Sequence, residues 1–466
     1  MIALKEDYKM RIHSNDNVEL DIATGQKKAL RDIKEGEKVI KYGEAIGHAT
    51  CDIKEGENVH MHNVKSDIGF EVEFNVKPEG VERTDFKERT FMGYLRENGQ
   101  VGIRNELWII PGVGCNNSVA RRLAAATGAK ALCHPWGCSQ VGDNLERTGR
   151  LLASLARHPN AGGVLVLGLG CENNTLNSMK ERLKDAGDRI RFLNIQDCED
   201  EIAEGTKILS ELAENMKKDK RVELPISMLK VGLKCGGSDA YSGVCANPLV
   251  GRVAERLYGM GSICLMSEVP EMFGGEHLLL KRTISQKLFD KAESMMKRFR
   301  SYYAKHGEGV ADNPSPGNHA GGITTLEEKS LGCIQKGGDV PVVNVLEMGE
   351  RSSAQSGLQL VDGPGNDLIS VTNLAASGAH MVLFTTGRGT PFAGPIPTVK
   401  IASNSRIAGL KPHWIDFDSS PCIENGFDKA TDELLDLVIA IAEGKNTKAE
   451  DHGYYDISLF VDGAIL

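Results

Sequence analysis

The chain has 466 residues, of which 41% are hydrophobic and 26% charged, the balance of an ordinary globular protein. This length suits about two to four domains, taking roughly 100–200 residues for each. The formal net charge of −9 argues against a nucleic-acid partner, because binding to a phosphate backbone relies on a basic surface.

The sequence predicts a soluble, cytoplasmic protein without a membrane partner. No run approaches about 18 apolar residues, the length that a membrane helix needs, and the amino terminus has no apolar signal core. The 11 cysteines are scattered along the chain. In a reducing compartment they are core thiols or metal ligands rather than disulfides.

Residues 1–72 are predicted to form a small β-rich unit, and the charged residues 73–90 a linker. Alternating strand patterns at 8–12 and 18–22 flank a polar turn. The sequence Asp-Ile-Lys-Glu-Gly-Glu then occurs twice, at 32–37 and 52–57, each time before a short strand pattern. This repeat predicts two similar β-hairpins that pack together.

A histidine pair ends the second copy of the repeat. His60 and His62 are two residues apart on a predicted strand, so both imidazoles are expected on the same face. Such a pair can hold a metal ion or bind an anion. It can equally be two exposed histidines on a polar face, and the spacing favours neither interpretation.

Three apolar runs, at 107–115, 131–138 and 164–171, each end in glycine followed by cysteine, at Cys115, Cys138 and Cys171. A helix is predicted after each, at 118–126, 144–157 and 175–186. If the runs are neighbouring parallel strands, the thiols emerge at one carboxyl edge, where open α/β sheets bind ligands. The pattern predicts a metal or iron–sulfur site. The alternative is that Gly-Cys packs well where a strand meets a helix.

The order of strand, loop and helix predicts two α/β units with largely parallel sheets, at 91–228 and 229–466. The first continues with a strand at 191–195 and a helix at 198–218. The second contains predicted strands at 229–235, 262–266, 340–346 and 380–384, and helices at 247–258, 277–304 and 428–443. Residues 312–326, rich in Pro, Gly and Asn, are too long for a plain connection and are predicted to be functional.

Arg388 lies between two glycines just after a predicted strand, in Thr-Thr-Gly-Arg-Gly-Thr at 385–390. A guanidinium among free backbone N–H groups suits a carboxylate or phosphate. Cys-Gly-Gly-Ser-Asp at 235–239 is a similar but weaker pattern. Glu268 and Glu271 flank Pro270, and they are either a paired acid and base or two solvated carboxylates.

Together these motifs resemble the altronate/galactarate dehydratase family over nearly the whole chain. Trp108 and the run around Trp414 are closer to its altronate branch, and the amino-terminal unit is similar to its SAF domain. The residues that carry the resemblance are Val-His-Met-His-Asn (59–63), Gly-Ile-Arg-Asn-Glu-Leu-Trp (102–108), Gly-Cys-Ser-Gln (137–140), Arg-His-Pro-Asn-Ala (157–161), Gly-Leu-Gly-Cys-Glu-Asn-Asn (168–174), Cys-Gly-Gly-Ser-Asp (235–239), Glu-Val-Pro-Glu-Met-Phe (268–273), Asn-Pro-Ser-Pro-Gly-Asn (313–318), Thr-Thr-Gly-Arg-Gly-Thr (385–390) and His-Trp-Ile-Asp-Phe-Asp (413–418).

The resemblance implies a small SAF-like β domain followed by two α/β domains. It implies a hydro-lyase that converts D-altronate to 2-dehydro-3-deoxy-D-gluconate in hexuronate catabolism. The implied cofactor is iron(II), as a single ion or in an iron–sulfur cluster, with manganese as an alternative metal. The expected partners are the sugar-acid substrate and further copies of the chain in a homo-oligomer.

The resemblance also implies roles for single residues. The iron ligands are Cys115, Cys138 and Cys171 with Glu172 beside them, and a mononuclear site of His60, His62 and a carboxylate is the rival arrangement. The predicted catalytic residues are His60, His62, Glu268 and Glu271, and the predicted substrate-binding residues are Arg104, Asn105, Thr386 and Arg388. The alternative functions are dehydration of another sugar acid, such as galactarate, and non-catalytic regulation by sugar-acid binding.

Overall fold

The computed structural model describes residues 9–463 as three units in sequence order: a small antiparallel β unit and two α/β units with parallel sheets. This confirms the predicted fold class. Residues 1–8 and 464–466 lie outside the description. The strand predicted at 8–12 is therefore described from Lys9 onward. The amino-terminal segment, in which no signal core was predicted, lies outside the described residues. Within residues 9–463, no helix combines the length and apolarity that crossing a lipid bilayer requires.

The first unit consists of two antiparallel sheets, in the strand orders β1-β2-β3-β6 and β4-β5-β7. Its strands are β1 (Lys9–Met10), β2 (Val18–Asp21), β3 (Lys27–Ala29), β4 (Lys38–Lys41), β5 (Glu44–Ala49), β6 (Asn58–Val59) and β7 (Val64–Lys65). Residues 66–89, all of them described, contain neither helix nor strand.

The two copies of the repeat face each other across a local two-fold axis. Ile33 and Ile53 exchange backbone hydrogen bonds, both of 2.8 Å. Lys34 Nζ donates to Asp52, and Lys54 Nζ donates to Asp32, again both at 2.8 Å. The two copies therefore pack together as predicted, but only the first leads into a hairpin, β4–β5, because β6 pairs with β3 and β7 with β5.

The second unit contains a parallel sheet in the order β11-β10-β12-β13 and a small antiparallel sheet in the order β14-β8-β9. Its strands are β8 (Thr90–Leu95), β9 (Val101–Gly102), β10 (Glu106–Pro111), β11 (Lys130–Ala131), β12 (Ala161–Gly168), β13 (Ile190–Asn194) and β14 (Arg221–Pro225). Its helices are α1 (Asn117–Thr127), α2 (Gly142–Ala156), α3 (Leu176–Arg182) and α4 (Glu201–Met216).

The third unit is built on seven parallel strands in the order β17-β18-β16-β15-β19-β20-β21. The strands are β15 (Lys230–Cys235), β16 (Ile263–Met266), β17 (Val342–Leu346), β18 (Gly357–Val361), β19 (Met381–Thr386), β20 (Thr398–Ala402) and β21 (Phe417–Asp418). The helices are α5 (Asn247–Gly259), α6 (Glu276–Lys281), α7 (Gln286–His306), α8 (Pro316–Ala320), α9 (Leu326–Ile334), α10 (Asp367–Ala376), α11 (Ser405–Leu410), α12 (Cys422–Asn425), α13 (Asp428–Ala442) and α14 (Lys448–Asp451).

Two predicted elements differ from the structure. The strand predicted at 131–138 ends at Ala131, because Pro135 has no N–H for a sheet and the His134 ring donates to the Pro111 carbonyl at 2.7 Å instead. The helix predicted at 277–304 is two helices, α6 and α7. Thr283 forms a β-bridge with Val342 between them, and Ser285 caps α7.

Candidate functional site

The seven-stranded sheet opens a crevice at its carboxyl edge, between β15 and β19. After β15 the chain passes to β16 on one side, and after β19 it passes to β20 on the other. Two loops that leave neighbouring strands in opposite directions form a topological switch point, the usual ligand crevice of an open α/β sheet. The Gly-rich segments 235–239 and 385–390 are these two loops.

The two loops are hydrogen-bonded to each other. The backbone N–H groups of Gly387 and Arg388 donate to the Gly237 carbonyl at 3.1 and 2.9 Å. The buried Thr386 hydroxyl accepts from the Gly389 N–H at 2.9 Å, which closes the second loop. The predicted residues Thr386 and Arg388 thus lie at the crevice.

Arg388 is exposed, and its guanidinium has no hydrogen bond or ion pair among the described residues. Beside it, the buried Asp239 carboxylate accepts from Ser403 at 2.7 Å and from Asn404 at 2.8 Å. Burial raises the pKa of Asp239, and these donors offset only part of that rise. Residue 387 must be glycine here, since a Cβ would lie 2.1 Å from Asp239 Cγ. Arg388 is therefore a free cation on a rigid loop.

Glu268 is fully buried under the crevice in a left-handed conformation, with a φ of +74°. One carboxylate oxygen accepts from Lys234 Nζ, and the other accepts from Lys336 Nζ at 2.8 Å and from the Cys235 N–H at 3.1 Å. Lys234 also pairs with Asp367 at 2.9 Å. Both oxygens of Glu268 therefore have partners and join β15 to the segment after α9, and the predicted catalytic role of Glu268 stays a prediction.

Glu271 is also buried, but it keeps one free acceptor. Its Oε1 accepts from Lys329 at 2.9 Å and from Asn313 at 3.3 Å, whereas the buried Oε2 has no partner among the described residues. Burial alone would raise the pKa of Glu271, and the ammonium groups of Lys329 and Lys234 more than offset this, so the pKa is lowered. Glu271 is thus an ionised carboxylate with an unused lone pair.

The predicted functional segment 312–326 connects these groups. Asn313 contacts Glu271, and the Asn318 amide donates to the Ser238 carbonyl at 2.8 Å. His319 follows on α8, and its Nδ1 lies 2.9 Å from the Ile323 carbonyl. A carbonyl only accepts, so Nδ1 carries the proton and Nε2 is left with a free lone pair.

The site predicted from sequence did not include His319 or Lys329. The Nε2 of His319 has no hydrogen-bond partner among the described residues. The only sequence signal was the long polar loop that contains His319, and nothing local distinguished Lys329 from a surface lysine. The Lys329–Glu271 contact joins two segments far apart in the chain.

The predicted His60–His62 pair does not share a strand face. β6 ends at Val59, and His60–Asn63 form a turn in which the Asn63 side chain accepts from the His60 N–H at 2.9 Å. His60 reaches the third unit: Nε2 donates to the His319 carbonyl at 3.1 Å, and Nδ1 is 3.0 Å from the Thr324 hydroxyl. His62 is exposed and contacts neither His319 nor Thr324.

His60 therefore positions the loop of His319 and has no free ring nitrogen. Its pKa is lowered, first by burial and then by the charge of Lys27, so it is neutral at neutral pH. In a neutral ring with Nε2 protonated, Nδ1 accepts a hydrogen bond from the Thr324 hydroxyl.

The small unit is held on the third unit by a buried charged triad. Glu328 on α9 pairs with Lys27 at 2.9 Å and with Lys41 at 2.7 Å, and all three side chains are inaccessible to solvent. Burial would raise the pKa of Glu328, but the two lysines lower it to about 2. This docking holds His60 against the crevice.

The Gly-Cys loops form a second crevice in the second unit. β10 lies between β11 and β12 with all three strands parallel, so the three loops leave one edge, as predicted. The loops bind each other: the Gly114 N–H donates to the Trp136 carbonyl at 2.8 Å, and the Asn174 N–H donates to the Gly137 carbonyl at 2.9 Å. Cys115 and Cys171 are exposed, and Cys138 is partly exposed.

Two metal arrangements were predicted: a site on the three Gly-Cys thiols and a mononuclear site on the histidine pair. Within residues 9–463, no three His, Cys, Asp or Glu side chains converge on a single metal ion. This holds for His60, His62 and a carboxylate and equally for the three Gly-Cys thiols, so both metal arrangements stay predictions. Three thiols from interlocked loops are a donor set of the chemistry that iron–sulfur clusters use. Glu172 is not a free ligand, because its oxygens accept from the N–H groups of Leu169 and Gly170 at 3.2 and 2.6 Å.

Arg104 and Asn105 lie away from both crevices, which corrects their predicted role. The Arg104 guanidinium binds Glu450 in two bonds of 2.8 and 3.0 Å and donates to backbone carbonyls, including that of Ile441. Asn105 accepts from Arg96 at 2.9 Å and donates to the Met216 carbonyl. With their polar atoms occupied, both residues join structural elements instead of binding substrate.

Three family models match the chain. They are described as the altronate/galactarate dehydratase SAF domain, over residues 3–67; the D-galactarate dehydratase/altronate hydrolase second domain, over residues 93–217; and the D-galactarate/altronate dehydratase C-terminal domain, over residues 226–465. The chain belongs to the altronate/galactarate dehydratase family.

Individual relatives from this family are similar over nearly their full length. Altronate dehydratase of Bacillus subtilis (strain 168) is 45% identical, in an alignment covering 100% of this chain and 97% of that protein. Altronate dehydratase of Escherichia coli (strain K12) is 43% identical, covering 96% and 93%. Galactarate dehydratase (L-threo-forming) of Escherichia coli (strain K12) is 30% identical, covering 94% and 89%.

In this member of the altronate/galactarate dehydratase family, both crevices open on the same side. Helix α2, which follows the Cys138 loop, packs against α10, which begins at Asp367 on the crevice floor. The carboxyl ends of both helices meet at Arg351, which donates to Ser154 and lies beside Gly378. Their amino ends, each adjoining one crevice, therefore point the same way.

Proposed function

We propose that the chain is a hydro-lyase that removes water from D-altronate to give 2-dehydro-3-deoxy-D-gluconate, a step of hexuronate catabolism. The observation that carries this is the 45% identity to an altronate dehydratase across the whole chain. The relative named for galactarate is more distant, at 30%. Dehydration of galactarate is the second candidate.

The reaction places two demands on the protein. A base takes the proton from C2, next to the carboxylate, and hydroxide leaves C3 as water after taking up a proton. The enol that remains gains a proton at C3 and becomes the 2-keto acid. Because removal of the C2 proton creates a second negative charge beside the carboxylate, cationic groups and hydrogen-bond donors must face it.

Arg388 is suited to the substrate carboxylate, since it is an unpaired guanidinium on a loop fixed by its own backbone hydrogen bonds. The free Nε2 of His319 is suited to take the C2 proton, because Nδ1–H bonding to Ile323 holds the required tautomer. His60 acts on the same loop through the His319 carbonyl. Glu271 Oε2 is suited to accept a hydroxyl of the polyol chain.

The metal belongs to the same proposal. Cys115, Cys138 and Cys171 would hold an iron–sulfur cluster, which supplies a Lewis acid for the departing hydroxyl. Support comes from the shared edge and interlocking of the three loops. Iron and acid-labile sulfide measured on protein purified without oxygen test this part, and full activity without sulfide would remove the cluster.

One assay tests the reaction. The full-length protein is given a panel of aldonates and aldarates, with and without iron(II) or manganese, and formation of 2-keto acid is measured. We expect altronate to have the highest kcat/KM and galactarate a lower one. A higher value for galactarate would reverse the assignment, and no keto acid from any acid would favour the non-catalytic regulator. Light scattering on the same sample measures the expected homo-oligomer.

A further inference from the structure

A cavity of about 320 Å³ lies at the amino edge of the seven-stranded sheet. Lys230 and Ile263, the first residues of β15 and β16, line it together with His380, which precedes β19. Gln100 and its neighbours between β8 and β9 close it from the second unit. β15 is six residues long, so this cavity is about 20 Å from the carboxyl-edge crevice.

Two cations in this cavity have no anionic partner. Lys230 Nζ donates to the Ser352 hydroxyl at 2.9 Å, and the Arg351 guanidinium donates to the Ser154 carbonyl at 3.4 Å. Neither forms an ion pair with any described residue. The described residues that line the cavity include no Asp or Glu.

Both cations are partly buried. Burial lowers the pKa of Lys230 to about 8, and the nearby charge of Arg351 lowers it in the same direction. Burial likewise lowers the pKa of Arg351 to about 10, with Arg157 adding to the effect. Charges shielded from solvent are normally paired, so two unpaired cations facing one cavity make it a favourable place for an anion.

A third group indicates what else the ligand carries. The amide oxygen of Gln100 is buried and has no donor among the described residues. A ligand hydroxyl would satisfy it. The volume is within the range of small-molecule sites, and it opens between two units, where such sites are common.

We propose that the amino-edge cavity binds a small hydroxylated oxyanion, whose phosphate or carboxylate group lies between Lys230 and Arg351. The cavity lies at the amino edge of the sheet and the proposed reaction at the carboxyl edge, so this site is separate from the substrate site. It does not depend on the proposed function.

Isothermal titration of the full-length protein with inorganic phosphate, and separately with gluconate, tests the proposal at fixed ionic strength set with chloride. At least one of the two should bind saturably. Lys230→Gln and Arg351→Gln should each weaken that binding by about tenfold or more, since each removes a charge-assisted hydrogen bond. Arg388→Gln, at the other edge, should leave phosphate binding unchanged, and with gluconate it should affect only binding at the substrate site, not the binding that depends on Lys230 and Arg351.

The two probes separate the sources of the oxyanion: phosphate alone indicates a phosphorylated ligand, and gluconate alone a sugar acid. Binding of neither would overturn the proposal, as would phosphate binding that survives both cavity variants, or gluconate binding that disappears completely with Arg388→Gln.

A second measurement does not depend on the variants being well folded. In the unmodified protein, phosphate or gluconate should protect Lys230 from an amine-acylating reagent, read by mass spectrometry of the peptide. The exposed Lys184 should react equally with and without the anion. Equal labelling of Lys230 with and without both anions would contradict the proposal.

Discussion

The two parallel sheets of this protein each open a crevice at a topological switch point, but the crevices are chemically different. In the second unit the loops satisfy one another through backbone bonds and present exposed or partly exposed thiols. In the third unit the crevice floor consists of buried charged side chains, and the charged groups of Glu268 and Lys234 are paired there. There, Arg388, His319 Nε2 and Glu271 Oε2 have no side-chain partners among the described residues.

The difference indicates a division of work between the two edges. Under the proposed function, the exposed thiols on fixed loops would bind the cofactor, whereas the free imidazole would take the C2 proton and the free guanidinium would bind the carboxylate. The described residues of the small β unit contact the crevice of the third unit, through His60 and the buried Glu328 triad.

The largest expected effect comes from removing the free imidazole. His319→Asn should lower kcat by about 10²- to 10⁴-fold, the usual contribution of a general base. The measurement is steady-state formation of 2-keto acid from altronate. His62→Asn is the matched control, and it should leave kcat nearly unchanged because His62 is exposed and outside the contacts of the crevice. Equal losses in both variants would restore the sequence-based assignment.

Docking of the small unit should be the next most sensitive feature. Glu328→Gln leaves Lys27 and Lys41 buried without a counter-charge, so we expect a loss of about 3–5 kcal/mol in the free energy of unfolding at pH 7. Chemical denaturation followed by circular dichroism measures it. Asp52→Asn, in the exposed Lys34 pair, should change the midpoint little.

The pH dependence of the Glu328 effect has a definite sign. The folded-state pKa of Glu328 is about 2, below its ordinary value of 4.5, so its carboxylate stabilises the fold above pH 4.5. That stabilisation is lost as the pH falls from 4.5 towards 2. The stability difference between wild type and Glu328→Gln should therefore narrow over this window, and a constant difference would contradict the buried triad.

Variants of two arginines distinguish a role in substrate binding from a role in stability. Arg388→Gln should lower kcat/KM by about 10- to 100-fold through loss of a charge-assisted contact, without lowering the thermal midpoint. Arg104→Gln should lower the thermal midpoint, because it breaks the bidentate pair with Glu450, and should leave the KM of the folded protein unchanged. The reverse outcome would place the substrate at the other arginine.

The smallest effect on stability is expected at the Gly-Cys edge. Cys171→Ser should change the free energy of unfolding by less than about 0.5 kcal/mol, since the thiol is exposed. Bound iron should nevertheless fall by at least about tenfold if the three thiols hold it. Cys51→Ser, an exposed thiol in the small unit, is the control and should retain iron. Unchanged iron in Cys171→Ser would leave the Gly-Cys edge without a cofactor.

Much of the fold could be predicted because its signals are local. The recurring order of strand, glycine loop and helix predicted β10, β12, β15 and β19, and the hexapeptide repeat predicted that its two copies pack together. β20 was missed because it contains Lys400. A lysine in a sequence normally predicts an exposed position, but Lys400 is fully buried. β18 was missed for a similar reason, the buried Gln359.

The candidate site was predicted only in part. Arg388 and Thr386 could be assigned because one short motif contains both the loop geometry and the charge. Glu268 and Glu271 could not be told apart, since three residues separate them in sequence while different lysines pair with them in space. Arg104 was placed at the substrate by the family resemblance, and no local pattern shows its pairing with Glu450, which is remote in the chain.

By itself, the sequence determined the family, the three units and the loops that reach each carboxyl edge, because turn chemistry and strand–helix alternation depend on neighbouring residues. The tertiary structure alone decided which charged groups are free. Glu328 pairs with Lys27 and Lys41, which are remote from it in the chain, and Lys329 pairs with Glu271 across the crevice. Availability for chemistry is what remains after such long-range pairing, and no local pattern encodes it.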